Sequence, residues 1–158
     1  MILALLFIIL FIPINACAAS FDAWCDRCEA YRESVQKTLI NNGVSPDYYY
    51  LMVAESGCRE NAKSSKGAIG FWQLTNATAR KYGCNDPHNL ECATRAAALY
   101  IRHLETMFLS FDRVVMGYNM GGHNLNKNGA TREAKALAWT VGELKKCRCH
   151  TEAEKVKK

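Results

Sequence analysis

Residues 54–79 read AESGCRENAKSSKGAIGFWQLTNATA, and the fold is decided by how this stretch is read. Glu55 closes an apolar, helix-like run from Tyr48 to Ala54. A carboxyl in that place is expected to sit half-buried. Burial disfavours the ionised form and raises the pKa, which is what a general acid working near neutral pH requires. A polar loop follows, with Gly57, Gly67 and Gly70 permitting tight turns and close approach of backbone to a ligand. Within it, Ser64, Ser65, Lys66 and Gly67 suit the turn of a short hairpin. Phe71, Trp72 and Gln73 then supply ring surface and an amide that both donates and accepts. The chain re-enters a helix near Asn76, with Thr75 or Asn76 as its cap.

The register of these residues resembles the catalytic motif of the soluble lytic transglycosylase (SLT) family, which has a lysozyme-like fold. The matching positions are Glu55-Ser56, Ala62, Ser64, Gly67-Ala68, Gly70, Gln73 and Thr78-Ala79. Trp72 before Gln73 is most similar to the membrane-bound lytic murein transglycosylases of the D type. Cys58 stands where the family usually has Phe, Glu60 and Asn76 where it has Pro, and Phe71 where it has Leu. A second matching segment, Gly117-Tyr118-Asn119-Met120-Gly121, resembles the family's Ala-Tyr-Asn-Ala-Gly. Asp86-Pro87 and the alanine-rich run from Ala93 to Tyr100 extend the likeness, which covers about 46–122 and weakens towards Lys146.

Outward from the motif, periodicity predicts helices on both sides. Trp24, Cys28, Tyr31, Val35 and Leu39 recur every three or four residues, giving a helix over 21–39 that ends at Gly43. Ser45 caps the next helix, with Pro46 at its first position. Of the three rings Tyr48, Tyr49 and Tyr50, one is expected in the core and two on the surface. After a short helix to Tyr82, Asn89 caps a long helix over 91–109 whose small residues suit the centre of a domain. The segment 111–122 and a last helix over 131–146 complete the set, with Trp139 assigned to the core. The fold class expected is mostly α: a lysozyme-like α+β fold with a small hairpin or loop after the catalytic helix.

The chain has 158 residues, enough for one domain with its own core. Residues 1–18 carry no charged side chain and read as a signal peptide with Ala16-Cys17-Ala18 at its cleavage site; a lipoprotein signal or an uncleaved anchor are the alternatives. The organisation expected is therefore a leader (1–18), an N-terminal helix with cysteines (19–45), a catalytic domain (46–146) and a basic tail (147–158). The net charge of +5 is gathered partly in that tail and fits a solvated end or weak attraction to anionic polymer or membrane. No nucleic-acid motif is present.

Eight cysteines in an exported chain read as disulfides. Loss of Cys17 with the leader would leave an odd number, and Cys58 is the residue expected to stay free. Cys84 and Cys92 form a middle pair. Cys25 and Cys28 are grouped with Cys147 and Cys149 as terminal thiols to be tied together, or alternatively to hold zinc with His150. His88, His103, His123 and His150 lack paired helical spacing, so no catalytic metal and no cofactor is expected.

Glycosidic cleavage usually needs two carboxyls. Beside Glu55, Glu60 lies where the family has Pro, and Asp86, Glu91 and Asp112 read as turn, cap or surface residues. One acid suffices if the substrate supplies the nucleophile. The resemblance implies this: Glu55 protonates the oxygen of a MurNAc–GlcNAc bond, then takes the proton of the same MurNAc's C6 hydroxyl, leaving a 1,6-anhydro end. Ser56, Gln73, Tyr118 and Asn119, with the rings of Phe71 and Trp72, are the expected substrate-binding set. The partner expected is the glycan strand of peptidoglycan, with envelope or secretion machinery and N-terminal membrane association as further possibilities. The location expected is the periplasm or envelope of a bacterium. A lysozyme-type hydrolase, a non-catalytic wall-binding module and a disulfide-rich structural or adhesive protein are the competing readings.

Overall fold

The computed structural model describes residues 16–147, with side chains from 23 to 146. Most of the expected leader and basic tail, and the cysteine pairings that involve them, lie outside these residues. Among the described residues, no helix is long and apolar enough to cross a membrane.

Among the described residues, seven α-helices and one small sheet build the fold: α1 Ala16–Asn41, α2 Tyr49–Ser56, β1 Ala68–Ile69, β2 Leu74–Thr75, α3 Asn76–Lys81, α4 Leu90–Glu105, α5 Phe111–Met120, α6 Gly122–Asn128 and α7 Arg132–Cys147. The strands pair antiparallel, Ala68 with Thr75 and Ile69 with Leu74, and an isolated bridge joins Lys63 to Ile69. The turn at Ser64–Gly67 closes as expected: the Ser64 amide donates to Ala68 O (2.9 Å) and the Gly67 amide to Ser64 O (3.1 Å). This is the mostly α, lysozyme-like architecture that the motif implied.

The helix starts follow local chemistry. Ser45 accepts from the Asp47 amide and Pro46 opens a short 3-10 helix, Pro46–Tyr48, that leads directly into α2. Thr75 caps α3, Asn89 caps α4 and Ser110 caps α5, each side chain accepting a free backbone N–H of the first turn. Three successive alanines of α4, Ala96, Ala97 and Ala98, are fully buried, so this helix is covered on more than one side. It packs against α1, α3 and α5, while α7 lies across α2 and α5.

The structure corrects several expectations. Tyr48, Tyr49 and Tyr50 are all buried. Tyr48 stacks on Phe111 with centroids 4.6 Å apart, and Tyr49 lies 4.7 Å beneath the Arg32 guanidinium and edge-on to Tyr50. The apolar run is thus enclosed by α1 and α7, with Phe111 of α5 covering Tyr48. Cys58 is not free: it is bonded to Cys28 across 30 residues. Cys28 is therefore unavailable to the C-terminal cysteines or to a four-thiolate zinc site, and Cys25 is also disulfide-bonded. The middle pair Cys84–Cys92 forms as expected. Trp139 is 65% exposed, not core. The buried stripe of α7 is Ala134, Ala138, Val141 and Leu144, spaced by three or four, and Trp139 falls outside it, on the helix's exposed side. Helix α6, of sequence GHNLNKN, was not foreseen, because its only large apolar residue is Leu125.

Candidate active site

Glu55 sits in the last turn of α2. The helix is stopped by Gly57, whose φ of +56° and amide bond to Val53 O (2.8 Å) make a left-handed cap. The acid is half-buried at the base of a cleft of about 320 Å³. Burial raises its pKa from the ordinary 4.5 to about 7, the direction the sequence implied.

The cleft has two walls. One is the loop and small sheet, contributing Ser64, Lys66, Ala68, Gln73, Leu74 and Thr75, with Thr78 of α3 continuing it. The other is helical and contributes Tyr100 of α4, Tyr118 and Asn119 of α5, and Gly121. Glu55 is the only carboxylic acid among these lining residues.

Of the residues singled out from the sequence, Glu55, Gln73, Tyr118 and Asn119 meet in this cleft. Ser56, Phe71 and Trp72 do not line it. Ser56 is 1% exposed and donates its hydroxyl to Phe71 O at 2.6 Å, which ties the acid-bearing helix to the loop's return. Phe71 packs edge-on to Tyr31 of α1. Trp72 is fully buried and donates its indole N–H to Thr94 Oγ1 (2.9 Å), which itself donates to Leu90 O (2.7 Å).

Gln73 lines the cleft and also braces the loop. Its φ is +48°, and its Nε2 donates to Ala62 O (3.1 Å) and Gly70 O (3.0 Å). Tyr118 is buried, and its hydroxyl donates to Trp72 O at 2.9 Å, joining the two walls. Burial, then the neighbouring charges of Glu55 and Tyr100, hold its pKa well above the usual phenol range. Asn119 is exposed at the cleft edge.

Tyr100, the end of the alanine-rich run of α4, is a lining residue that the sequence did not single out. Its ring stacks on Tyr82 and packs at a tilt against Tyr118 (centroids 5.4 and 5.2 Å), and its hydroxyl donates to Gly117 O at 3.2 Å. Burial lifts its pKa to about 12. The available signal was a hydroxyl-bearing ring in a stripe that is otherwise alanine and aliphatic.

This arrangement offers one acid of near-neutral pKa, polar groups on both sides and an open groove, which is the equipment for proton transfer on a polymer with many hydroxyls. Residues 33–139 match the family model described as the Transglycosylase SLT domain, and the chain belongs to that family. Lytic transglycosylase activity and binding of peptidoglycan are what the family as a whole implies. No curated protein is significantly similar to the chain.

Proposed function

We propose that the protein cleaves the β-1,4 bond between MurNAc and GlcNAc in peptidoglycan, with Glu55 as acid and then base. The observation that carries this reading is the half-buried Glu55 at the base of the cleft, with a pKa near 7 and no second acid among the lining residues. A group of that pKa gives up and regains a proton at neutral pH with little cost in either direction. Glu55 protonates the leaving oxygen O4 of GlcNAc as the C1–O4 bond breaks. The C6 hydroxyl of the same MurNAc closes on C1, and its proton returns to the Glu55 carboxylate. The product carries a 1,6-anhydro ring and no water is consumed. A hydrolase would call for a second carboxylate to activate water.

Gln73, Tyr118 and Asn119 face the strand in this reading. Ser56 acts on the loop rather than on sugar, and Phe71 and Trp72 support the cleft from behind. We also propose that the enzyme works outside the cytoplasm, in the bacterial envelope. The bridges Cys28–Cys58 and Cys84–Cys92 support this, since such bonds persist in oxidising compartments.

Digestion of purified peptidoglycan by the wild type and by Glu55→Gln, followed by mass spectrometry, tests the reading. Anhydro-ended fragments from the wild type alone are the expected result. Reducing ends would make the enzyme a hydrolase, and binding without fragments would make it a wall-binding module.

A further inference from the structure

We propose that the Cys28–Cys58 disulfide is a positioning bond of the active site: it holds Cys58 in left-handed backbone and thereby sets the loop that carries the cleft wall beside Glu55. The proposal rests on the reading of Glu55 as the acid.

Among the described residues, only two that are not glycine have positive φ, Cys58 at +58° and Gln73 at +48°. Cys58 follows the acid's helix by two residues, and Gln73 directly precedes β2 in the connection between the two strands. A side-chain-bearing residue is disfavoured there and persists only where its surroundings over-determine it. Gln73 is held by its own amide, bonded to Ala62 O and Gly70 O. Cys58 is held through its sulfur, bonded to Cys28 of α1.

Helix α1 grips the same point twice more. Arg27 Nη1 donates to Gly57 O at 3.0 Å, and the Trp24 ring lies against Gly57. On the loop's far side, the His88 ring nitrogen Nδ1 is bonded to Glu60 O at 2.8 Å, and Gly70 abuts the Pro87 carbonyl. Both contacts come from the turn enclosed by Cys84–Cys92. The loop is clamped from two directions, and the Cys28–Cys58 bond is its covalent clamp on the acid's side, three residues from Glu55.

Without the bond, Cys58 returns to negative φ, the Gly57–Cys58 peptide rotates, and the last turn of α2 loosens with Glu55 on it. The enzyme is then mature only after oxidation. The two thiols lose two protons and two electrons to a thiol–disulfide oxidant, and the S–S bond forms.

The test separates backbone control from general stabilisation by comparing Cys28→Ala/Cys58→Ala with Cys28→Ala/Cys58→Gly. Both lack the bond, but glycine adopts a φ of +58° without penalty. The alanine pair is expected to lose kcat/KM about tenfold, chiefly in kcat. Its Glu55 carboxyl, followed by NMR titration, shifts from about 7 towards the ordinary carboxylate value as water enters. The glycine pair is expected to stay within about threefold of wild type and to keep the raised titration, while losing as much melting temperature as the alanine pair. A folded glycine pair beside an unfolded alanine pair supports the proposal equally. Equal losses in the two variants, no loss in either, or failure of both to fold would overturn it. The titration reads the loop even if no glycan is cut, so a wild type without transglycosylase activity counts against the proposed function alone.

Discussion

The two walls of the cleft are fixed by different means. The helical wall, Tyr100 and Tyr118, is held by side-chain packing on regular backbone: α4 and α5 are buried along their stripes, Tyr100 stacks on Tyr82, and Tyr118 packs against it at a tilt. The loop wall has only two strands of two residues each. It is held by bonds to particular atoms: Gln73 to Ala62 O and Gly70 O, Ser56 to Phe71 O, Cys58 to Cys28, and Gly70 against Pro87. A packed wall spreads its cost over many contacts and can yield by tenths of an ångström. A wall held atom by atom has little to yield with. The acid lies where the two meet, and the Tyr118 hydroxyl on Trp72 O is the bond that crosses between them.

This contrast can be broken by mutation, and the largest effect lies at the junction. Glu55→Gln is expected to lower cleavage by about a thousandfold, measured on peptidoglycan, because the amide cannot pass a proton. In the wild type, kcat/KM should fall about tenfold per pH unit above about 7, since the acid must be protonated to begin. The same substitution should stabilise the fold. A carboxyl whose folded pKa is raised is least costly at low pH, and its penalty grows as pH rises from the unfolded value near 4.5 through about 7. Chemical denaturation should therefore show Glu55→Gln more stable than wild type by ~3 kcal/mol at pH 8 and close to equal at pH 4.

Glycines then set one wall against the other. At Gly70 φ is +75°, and an added Cβ would overlap the Pro87 carbonyl, which is backbone and cannot step aside. Gly70→Ala should cost about 3 kcal/mol, read as a fall in melting temperature. Tyr118→Phe removes the bridging hydrogen bond and strands a carbonyl. It should cost about 1–2 kcal/mol and show as faster hydrogen exchange in the loop wall ahead of the helical wall. Gly117→Ala is the smallest effect. Its Cβ would meet the edge of the Phe108 ring at 2.9 Å and a Leu104 methyl at 3.1 Å, side-chain ends that can shift, while alanine favours the helix. The change in stability should stay within ~1 kcal/mol. A large loss at Gly117 with none at Gly70 would invert the contrast between the walls.

Most of the fold was legible because its signals are local. The caps Ser45, Thr75 and Asn89, the turn at Ser64–Gly67 and the spacing of Trp24 to Leu39 all act within a few residues. The site was legible through its acid, since an apolar run ending in Glu foretells burial and burial moves the pKa. What failed depended on partners far away. Tyr48, Tyr49 and Tyr50 point in different directions, and only the packing of α1 and α7 around this segment, with Phe111 of α5 stacked on Tyr48, buries all three. Cys58 looked free because its partner lies 30 residues earlier. Trp139 was assigned to the core for its size, but it stands off the stripe of Ala134, Ala138, Val141 and Leu144 that α7 buries.

The sequence by itself determined an acid on an apolar helix, a glycine-broken loop, the helix starts and the family register, since each is written in neighbouring residues. The tertiary structure alone decided which motif residues line the cleft and which hold the loop. Gln73 and Tyr118 line the cleft, whereas the Ser56 hydroxyl and the rings of Phe71 and Trp72 turn inward. The reason is physical: a side chain's role depends on which distant carbonyl, ring or sulfur is brought within bonding distance, and only the closed chain sets those distances.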